Sequence, residues 1–484
     1  MNKDNRATAQ LTRRGFLTEN AMGVGIFALA SLLAEERLQA SPKTVQLQPP
    51  TFDLASKQPT QPARAKAMIS LFQHGGPSHM DLMDPKPELS RLDGKTYDGN
   101  VGFSFIKRAT KTLHGSRWKF RKYGQCGTEI SELMPELASI VDDVCIVRSM
   151  HTGHNGHEVS IRYMNNGIAG VTGRPSLGSW ITYALGSEAQ DLPAYVVLTD
   201  PGGHPVDGVH NWSNGWMPSL FQGTVLRPKE PRILNLDAPQ HLRGEVQEHN
   251  LAFLKKLNDR HLERHQGEYD LEARIASYEL AAKMQESARE ALDLSQETNS
   301  TKSMYGLDHE TTREYGTRCL IARRLVERGV RFVQLFLGGQ PWDNHNDIRN
   351  TLPAVCRRTD QPSAALVKDL KQRGMLDDVL VHWGGEIGRL PVVEGDPLKG
   401  GRDHNGQGFS MWLAGGGIQG GTTYGATDEV GHRAVENIVK PHDYQATVLK
   451  LFGMNYRELY FLHNGQEQRL VVHDDANVLD DIIA

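Results

Sequence analysis

Apolar residues in this chain gather in short continuous runs: AMISLFQ (67–73), DDVCIVRSM (142–150), PAYVVLT (193–199), GVRFVQLFL (329–337), DDVLVHW (377–383) and GFSMWLAG (408–415). Runs of four to eight apolar residues bounded by Gly, Asp or Pro read as strands buried on both faces, not as half-exposed alternating strands. Between them lie stretches of helical periodicity such as ISELMPELASIV. Alternation of this kind predicts an α/β fold with a central, mostly parallel sheet sandwiched by helices. From 251 to 300 the pattern changes to a highly charged stretch with Leu, Ala and Tyr at helical spacing, which predicts a helical excursion packed by one stripe. No repeat of 20 to 50 residues is visible, which excludes a solenoid or propeller.

Length and composition narrow this picture. The chain has 484 residues, enough for one large α/β domain with insertions or for two domains. Its formal charge of -4, from 54 basic and 58 acidic residues, gives no global field directed at nucleic acid or an anionic membrane. Cys126, Cys145, Cys319 and Cys356 lack CxxC spacing, so a zinc finger or disulfide scaffold is excluded, and one or two incidental bridges stay open.

The N-terminus carries an address. LTRRGFL (11–17) places Arg13 and Arg14 ahead of an apolar run, AMGVGIFALASLLA (21–34), too short to span a bilayer, and a small-residue exit follows at Ala40. This order predicts a twin-arginine export signal over 1–40 and a periplasmic or extracellular protein with no membrane span once the signal is removed. Residues 41–66, rich in Pro, Gln and Ser, read as an extended linker, and 67–484 as the folded body.

Candidate chemistry follows the apolar runs. In open α/β sheets, ligands collect beyond the carboxyl ends of the strands. The first run leads into His74, Ser78, His79 and Asp81; the second contains Arg148 and leads into His151, Thr152, His154, His157, Glu158 and Ser160. The run 329–337 leads into Asp343 and His345, and the run 377–383 into Glu386 and Arg389. A loop, GGRDHNGQG, delivers Asp403 and His404 ahead of the last strand. Carboxylate and imidazole without thiolate suit zinc, manganese, iron or magnesium and argue against a purely structural zinc site. Any one of these clusters alone is compatible with a polar surface loop. Arg148 and Arg389 can hold an oxyanion or neutralise ligand carboxylates. Trp212 and Trp216, in a Gly- and Asn-rich loop, can stack on sugar rings or pack beneath the loop.

Taken together, HGGPSHMDLMDPKPEL, RSMHTGHNGHE, WDNH, LKQRGMLDDVLVHWGGEIGR, GRDHNGQGFSMWLAGGGIQGG and the segment from YGATDEVGHR to LKLFGM resemble the exported proteins of the domain of unknown function 1501 family. That family is a remote relative of the alkaline phosphatase and sulfatase superfamily. The resemblance runs from about residue 67 to the C-terminus and implies one or two divalent metal ions (zinc, manganese, calcium or magnesium) and hydrolysis of phosphate or sulfate esters. It places Asp343 and His345 as ligands, though at a shorter spacing than the superfamily segment. It puts Glu386 in a slot that is normally Asp-His, His404 as the late metal histidine, and His74 or Asp81 in place of the first-strand aspartate.

Where relatives have a Ser, Thr or modified Cys nucleophile, this chain has His157, with Ser160 close by. Three readings follow: His157 is a ligand and metal-activated water attacks; Ser160, Ser78 or Thr152 is the nucleophile; or catalysis has been lost. The first is favoured, because a divalent ion makes a nucleophile of water near neutral pH without a side-chain alcohol. The expected site is therefore His157, Ser160, Arg148 and Arg389 around the reacting ester, with His74, Asp81, Asp343, His345, Glu386, Asp403 and His404 at the metal. The expected partner is a small-molecule or glycan ester. The alternatives are a non-catalytic exported protein that binds a metal, an anion or a glycan in the same cleft, and a metalloenzyme of unrelated chemistry.

Overall fold

A computed structural model describes residues 52–484, apart from 105–107, 109, 238 and 266–267; the export signal and the start of the linker lie outside the described residues. All six apolar runs form strands. In chain order the strands are β1 (Ala67–Phe72), the hairpin β2 (Phe120–Tyr123) and β3 (Thr128–Ser131), β4 (Val144–Met150), β5 (Tyr195–Leu198), β6 (Thr224–Leu226), β7 (Phe332–Phe336) and β8 (Val379–Gly384). They continue with β9 (Gly388–Glu394), β10 (Gly401–Asn405), β11 (Phe409–Ala414) and β12 (Thr422–Tyr424), and four short strands follow, Ala426–Thr427, Ala434–Glu436, Phe461–His463 and Gln466–Gln468. Eight of these form one sheet in the order β12-β4-β11-β8-β1-β7-β5-β6. Its pairings are parallel except those of β11, which runs antiparallel to both β4 and β8.

Alternation along each strand divides the core in two. On β1, Ile69 and Leu71 join one apolar cluster, and Met68 and Phe72 join the other. The first is covered by α5 (Glu310–Glu327) and α6 (Ile348–Gln372), the second by α1 (His157–Asn166), α2 (Leu177–Leu185) and α7 (Pro441–Leu451). The sheet is thus buried on both faces, as its unbroken apolar strands require. The charged excursion forms two helices, α3 (Glu245–Arg264) and α4 (Tyr269–Leu292). All four cysteines are free. No helix among the described residues is long and apolar enough to cross a membrane.

Two features differ from expectation. Residues 52–66, read as linker, lie against the body: Lys57 N donates to Leu185 O at 2.9 Å, and Arg64 N and Ala65 N donate to Leu451 O at 2.7 and 2.9 Å. The stretch around Asp403, read as a loop, is strand β10, paired antiparallel with β9 in a separate two-stranded ribbon. Every residue of β10 is buried although its sequence, GRDHN, is polar. Its register with β9 shifts between Arg402 and His404, at Asp403, an irregularity of the kind that re-aims side chains.

Candidate metal centre

Three segments meet beyond the carboxyl edge of the sheet. After β7 the chain enters a tight loop in which Asp343 N donates to Gln340 O at 2.9 Å and His345 N to Asp343 O at 3.0 Å. This loop is fastened on both sides. Trp342 Nε1 donates to Gln73 Oε1 at the end of β1, and Arg402 N donates to Asn344 O, each at 3.0 Å. After β4, the loop at 151–156 is held by Thr152 N and Gly153 N donating to Gly406 O, at 3.0 and 2.9 Å. That loop ends at His157, the first residue of α1. The third segment is β10, which carries His404.

The Nε2 atoms of three histidines converge on one carboxylate oxygen. Asp343 Oδ1 lies 2.9 Å from His345 Nε2, 3.1 Å from His404 Nε2 and 3.4 Å from His157 Nε2. His157, Asp343 and His404 offer ligand atoms within 4.8 Å of one another, and so do His345, Asp403 and His404. On the far side of each ring an oxygen engages Nδ1: Glu386 Oε1 at 2.6 Å for His157, Glu394 Oε2 for His345, and Ser104 Oγ at 3.0 Å for His404. A carboxylate can only accept, so Nδ1 carries the proton in His157 and His345, and a neutral ring then turns an Nε2 lone pair inward. A histidine ligand oriented by a carboxylate is a recurring arrangement in metal sites.

These contacts also set the charge of each group. Burial opposes ionisation of Asp343, yet contacts to His157, His345 and His404, with the Arg389 charge behind, hold its carboxyl far below the usual range. Burial lowers His157 as well, but Asp343 and Glu386 outweigh it and hold the imidazole up to about 9. His404 goes the other way, down to about 4, through burial and the nearby Arg389 and His157 charges, against its bond to Asp343. The donor set of three imidazole nitrogens and a carboxylate fits a divalent ion such as zinc. His157 Nε2, buried and without a hydrogen-bond partner, is the atom such an ion would satisfy.

The expected site residues fall into three groups. Asp343, His345 and His404 come together, and His157 joins them as an inward-facing nitrogen. Glu386 stands behind His157 instead of at the centre, held by Gly75 N at 3.1 Å to Oε1. Asp403 is close, but its oxygens accept from His404 N and Ser104 N, each at 2.7 Å.

The remaining expected residues are engaged elsewhere. Asp81 forms a buried ion pair with Arg402, at 2.8 Å from Nε, and accepts from Ser78 Oγ at 2.6 Å. His74 Nε2 accepts from Val206 N at 3.2 Å, which spends its lone pair. Arg389 is fully buried; it donates to Gly76 O, Arg402 O and Gly75 O and meets Asp343 Oδ1 at 2.5 Å, so it neutralises a carboxylate and has no face for a substrate anion. Arg148 lies by Asp84, at 3.8 Å. Ser160 donates to His154 O at 3.0 Å, Thr152 Oγ1 donates to the same carbonyl at 3.2 Å, and neither they nor Ser78 contacts the converging atoms. Trp212 is buried against Phe336, and Trp216 packs on Trp180, Phe461 and His463.

Sequence reasoning missed Glu394 and Ser104. Glu394 left a faint signal as the last residue of GRLPVVE, an acidic end to an apolar run, whereas nothing in the sequence around Ser104 marks it.

Over residues 65–483 the sequence matches the family described as "Protein of unknown function (DUF1501)", and the chain belongs to that family. A comparison with curated proteins gives no significant match. Among solved structures, it is similar to the PsFucS1 sulfatase from Pseudoalteromonas sp., with 12% identity and a TM-score of 0.32 over 66% of this chain and 62% of that one, less than two thirds of the sulfatase's length. It is also similar to the phosphonate monoester hydrolase SpPMH from Silicibacter pomeroyi (10% identity, TM-score 0.33, 72% of this chain and 71% of that one). The lipoteichoic acid synthase LtaP from Listeria monocytogenes gives 8% identity and a TM-score of 0.35 over 86% of this chain and 78% of that one. Likenesses this distant say nothing about the reaction, which has to be read from the site itself.

Proposed function

We propose that this protein is an exported metal-dependent hydrolase of phosphate or sulfate esters. The observation that carries the reading is the convergence of His157, His345 and His404 Nε2 on Asp343 Oδ1, with every Nδ1 engaged from behind. Those four side chains would hold one divalent ion, which when bound supplies an activated water near neutral pH. The chain's own residues do the rest. Arg389 keeps Asp343 ionised, Glu386 and Glu394 fix the faces of His157 and His345, and Ser104 fixes His404. Burial around the cluster keeps bulk water from competing for the four donors. The ester class comes from the motif resemblance, and no side-chain alcohol among Ser78, Thr152 and Ser160 is free to act as nucleophile in this arrangement.

The test is metal analysis of protein purified without chelator, followed by aryl phosphate and aryl sulfate panels. Turnover lost in His404→Ala and kept in Ser160→Ala is the expected outcome. Turnover lost in Ser160→Ala with metal retained would move the nucleophile to that hydroxyl, and metal without turnover on any ester would leave a binding protein.

A further inference from the structure

Helix α3 buries none of its described residues. Its contacts with α4 run along one side, where Lys255 Nζ meets the Glu279 carboxylate at 3.2 Å and Gln247 Nε2 donates to Gln285 Oε1 at 2.6 Å. Positions 246, 253, 257, 260 and 264 fall together on the side turned away from those contacts, by the 3.6-residue period. That side presents Val246, Phe253 and Leu257, which are 48%, 62% and 44% exposed. Lys256, Arg260 and Arg264 accompany them and form no ion pair among the described residues. Of the acidic residues, Asp259 is held by Lys255 at 3.3 Å and Glu248 falls opposite, while Glu245 and Glu263 stand next to Lys256 at the edge of this side.

A solvated helix needs no exposed Phe and Leu in register, and a purely ionic partner would leave them in water. Val246, Phe253 and Leu257 in line with unpaired Lys and Arg on one side of the helix, with Leu254, 51% exposed, beside them, match a surface that is apolar below and anionic above. We infer that α3 docks this protein onto an anionic lipid surface, lying flat with Phe253 and Leu257 at the boundary of headgroups and acyl chains and Lys256, Arg260 and Arg264 among lipid phosphates. The charge of the whole chain gives no hint of this, because Lys256, Arg260 and Arg264 are three of its 54 basic residues.

The test uses the full chain with Cys126→Ser to remove the exposed thiol and Phe253→Cys carrying an environment-sensitive fluorophore. Vesicles containing phosphatidylglycerol are expected to shift the label to an apolar environment, and pure phosphatidylcholine vesicles are expected to leave it in water. Adding Lys256→Glu and Arg260→Glu should raise the vesicle concentration at half-shift by about tenfold or more. The thermal midpoint should stay unchanged, because neither side chain is buried. A label that remains in water with anionic vesicles, or one whose shift ignores the charge reversals, overturns the inference. So does an equal shift with a soluble polyanion, which would assign the helix to a charged polymer instead of a lipid surface.

Discussion

His345 Nε2 and His404 Nε2 stand 2.9 Å apart, and Asp343 Oδ1 lies within 3.1 Å of both. Glu394 holds the Nδ1 proton of His345, so its Nε2 presents a lone pair unless the ring is charged. A proton on His404 Nε2 satisfies one contact of the three-atom cluster, whereas a cation satisfies all of them. The expected outcome is about one equivalent of divalent metal per chain by elemental analysis. Adding metal at 100 times its dissociation constant to chelated protein should stabilise the fold by about 2.7 kcal/mol. His345→Ala and His404→Ala should bind no metal and lose that response; a metal-induced rise in thermal midpoint that survives both variants would falsify the assignment of these rings as ligands.

Glu386 and Glu394 act through the rings they hold. Glu386→Gln and Glu394→Gln keep the shape but replace an obligate acceptor with a group that can also donate, which frees the ring to change tautomer. Each is expected to weaken metal binding about 10- to 100-fold while leaving the fold intact. Calorimetric titration of metal into each variant checks it. Binding unchanged within twofold would mean that the carboxylates serve only to hold the rings in the core.

Much of this architecture is written in the chain, and the failures have physical reasons. The six sheet strands were legible because a strand covered on both faces must be apolar throughout, as AMISLF and VCIVRSM are. Strand β10 was not, because each of its polar side chains finds a private partner: Arg402 has Asp81, His404 has Asp343 and Ser104, and Asn405 donates to Gly408 O and His432 O. Pattern reading sees polarity and cannot see its compensation. Residue type also fails to separate an acid that touches an ion from one that stands behind a histidine, which is why Glu386 was expected at the centre. Arg148 went astray for a simpler reason. It shares its strand parity with Val144 and Ile146, so alternation carries it to their face of the sheet, towards Asp84.

Gly75 is required for the approach of β1's exit loop to the Asp343 loop. Its φ is +113°, and a Cβ there would lie 2.7 Å from Asp343 N. Gly75 N also donates to Glu386, so displacement of this backbone would disturb two supports at once. Gly75→Ala is expected to cost about 1–3 kcal/mol through the left-handed backbone alone and to reduce metal affinity more than Glu386→Gln does. Urea unfolding and metal titration on the same variant separate the two effects. Normal metal affinity in a destabilised variant would show that the Asp343 loop can yield without losing its geometry.

Acid sensitivity should have a component that belongs to the core and not to the cluster of His157, His345 and His404. His382, on β8, is fully buried with Ser70 Oγ 3.0 Å from its Nδ1, and burial pushes the imidazole down to about 3. The unfolded chain takes up a proton at this residue near pH 6.5 while the folded chain refuses it, so stability is full above pH 6.5 and falls as the pH drops through the window down to about 3. The loss from this residue alone is about 2 kcal/mol at pH 5. His382→Gln removes the titrating group. The variant is expected to be less stable at pH 7.5, because the substitution disturbs packing, yet to lose less on going from pH 7.5 to pH 5. The comparison is the difference in urea midpoints between those two pH values for each protein. Equal pH dependence in both would place the acid-labile groups elsewhere, with His114, which burial also lowers to about 3, the next to replace.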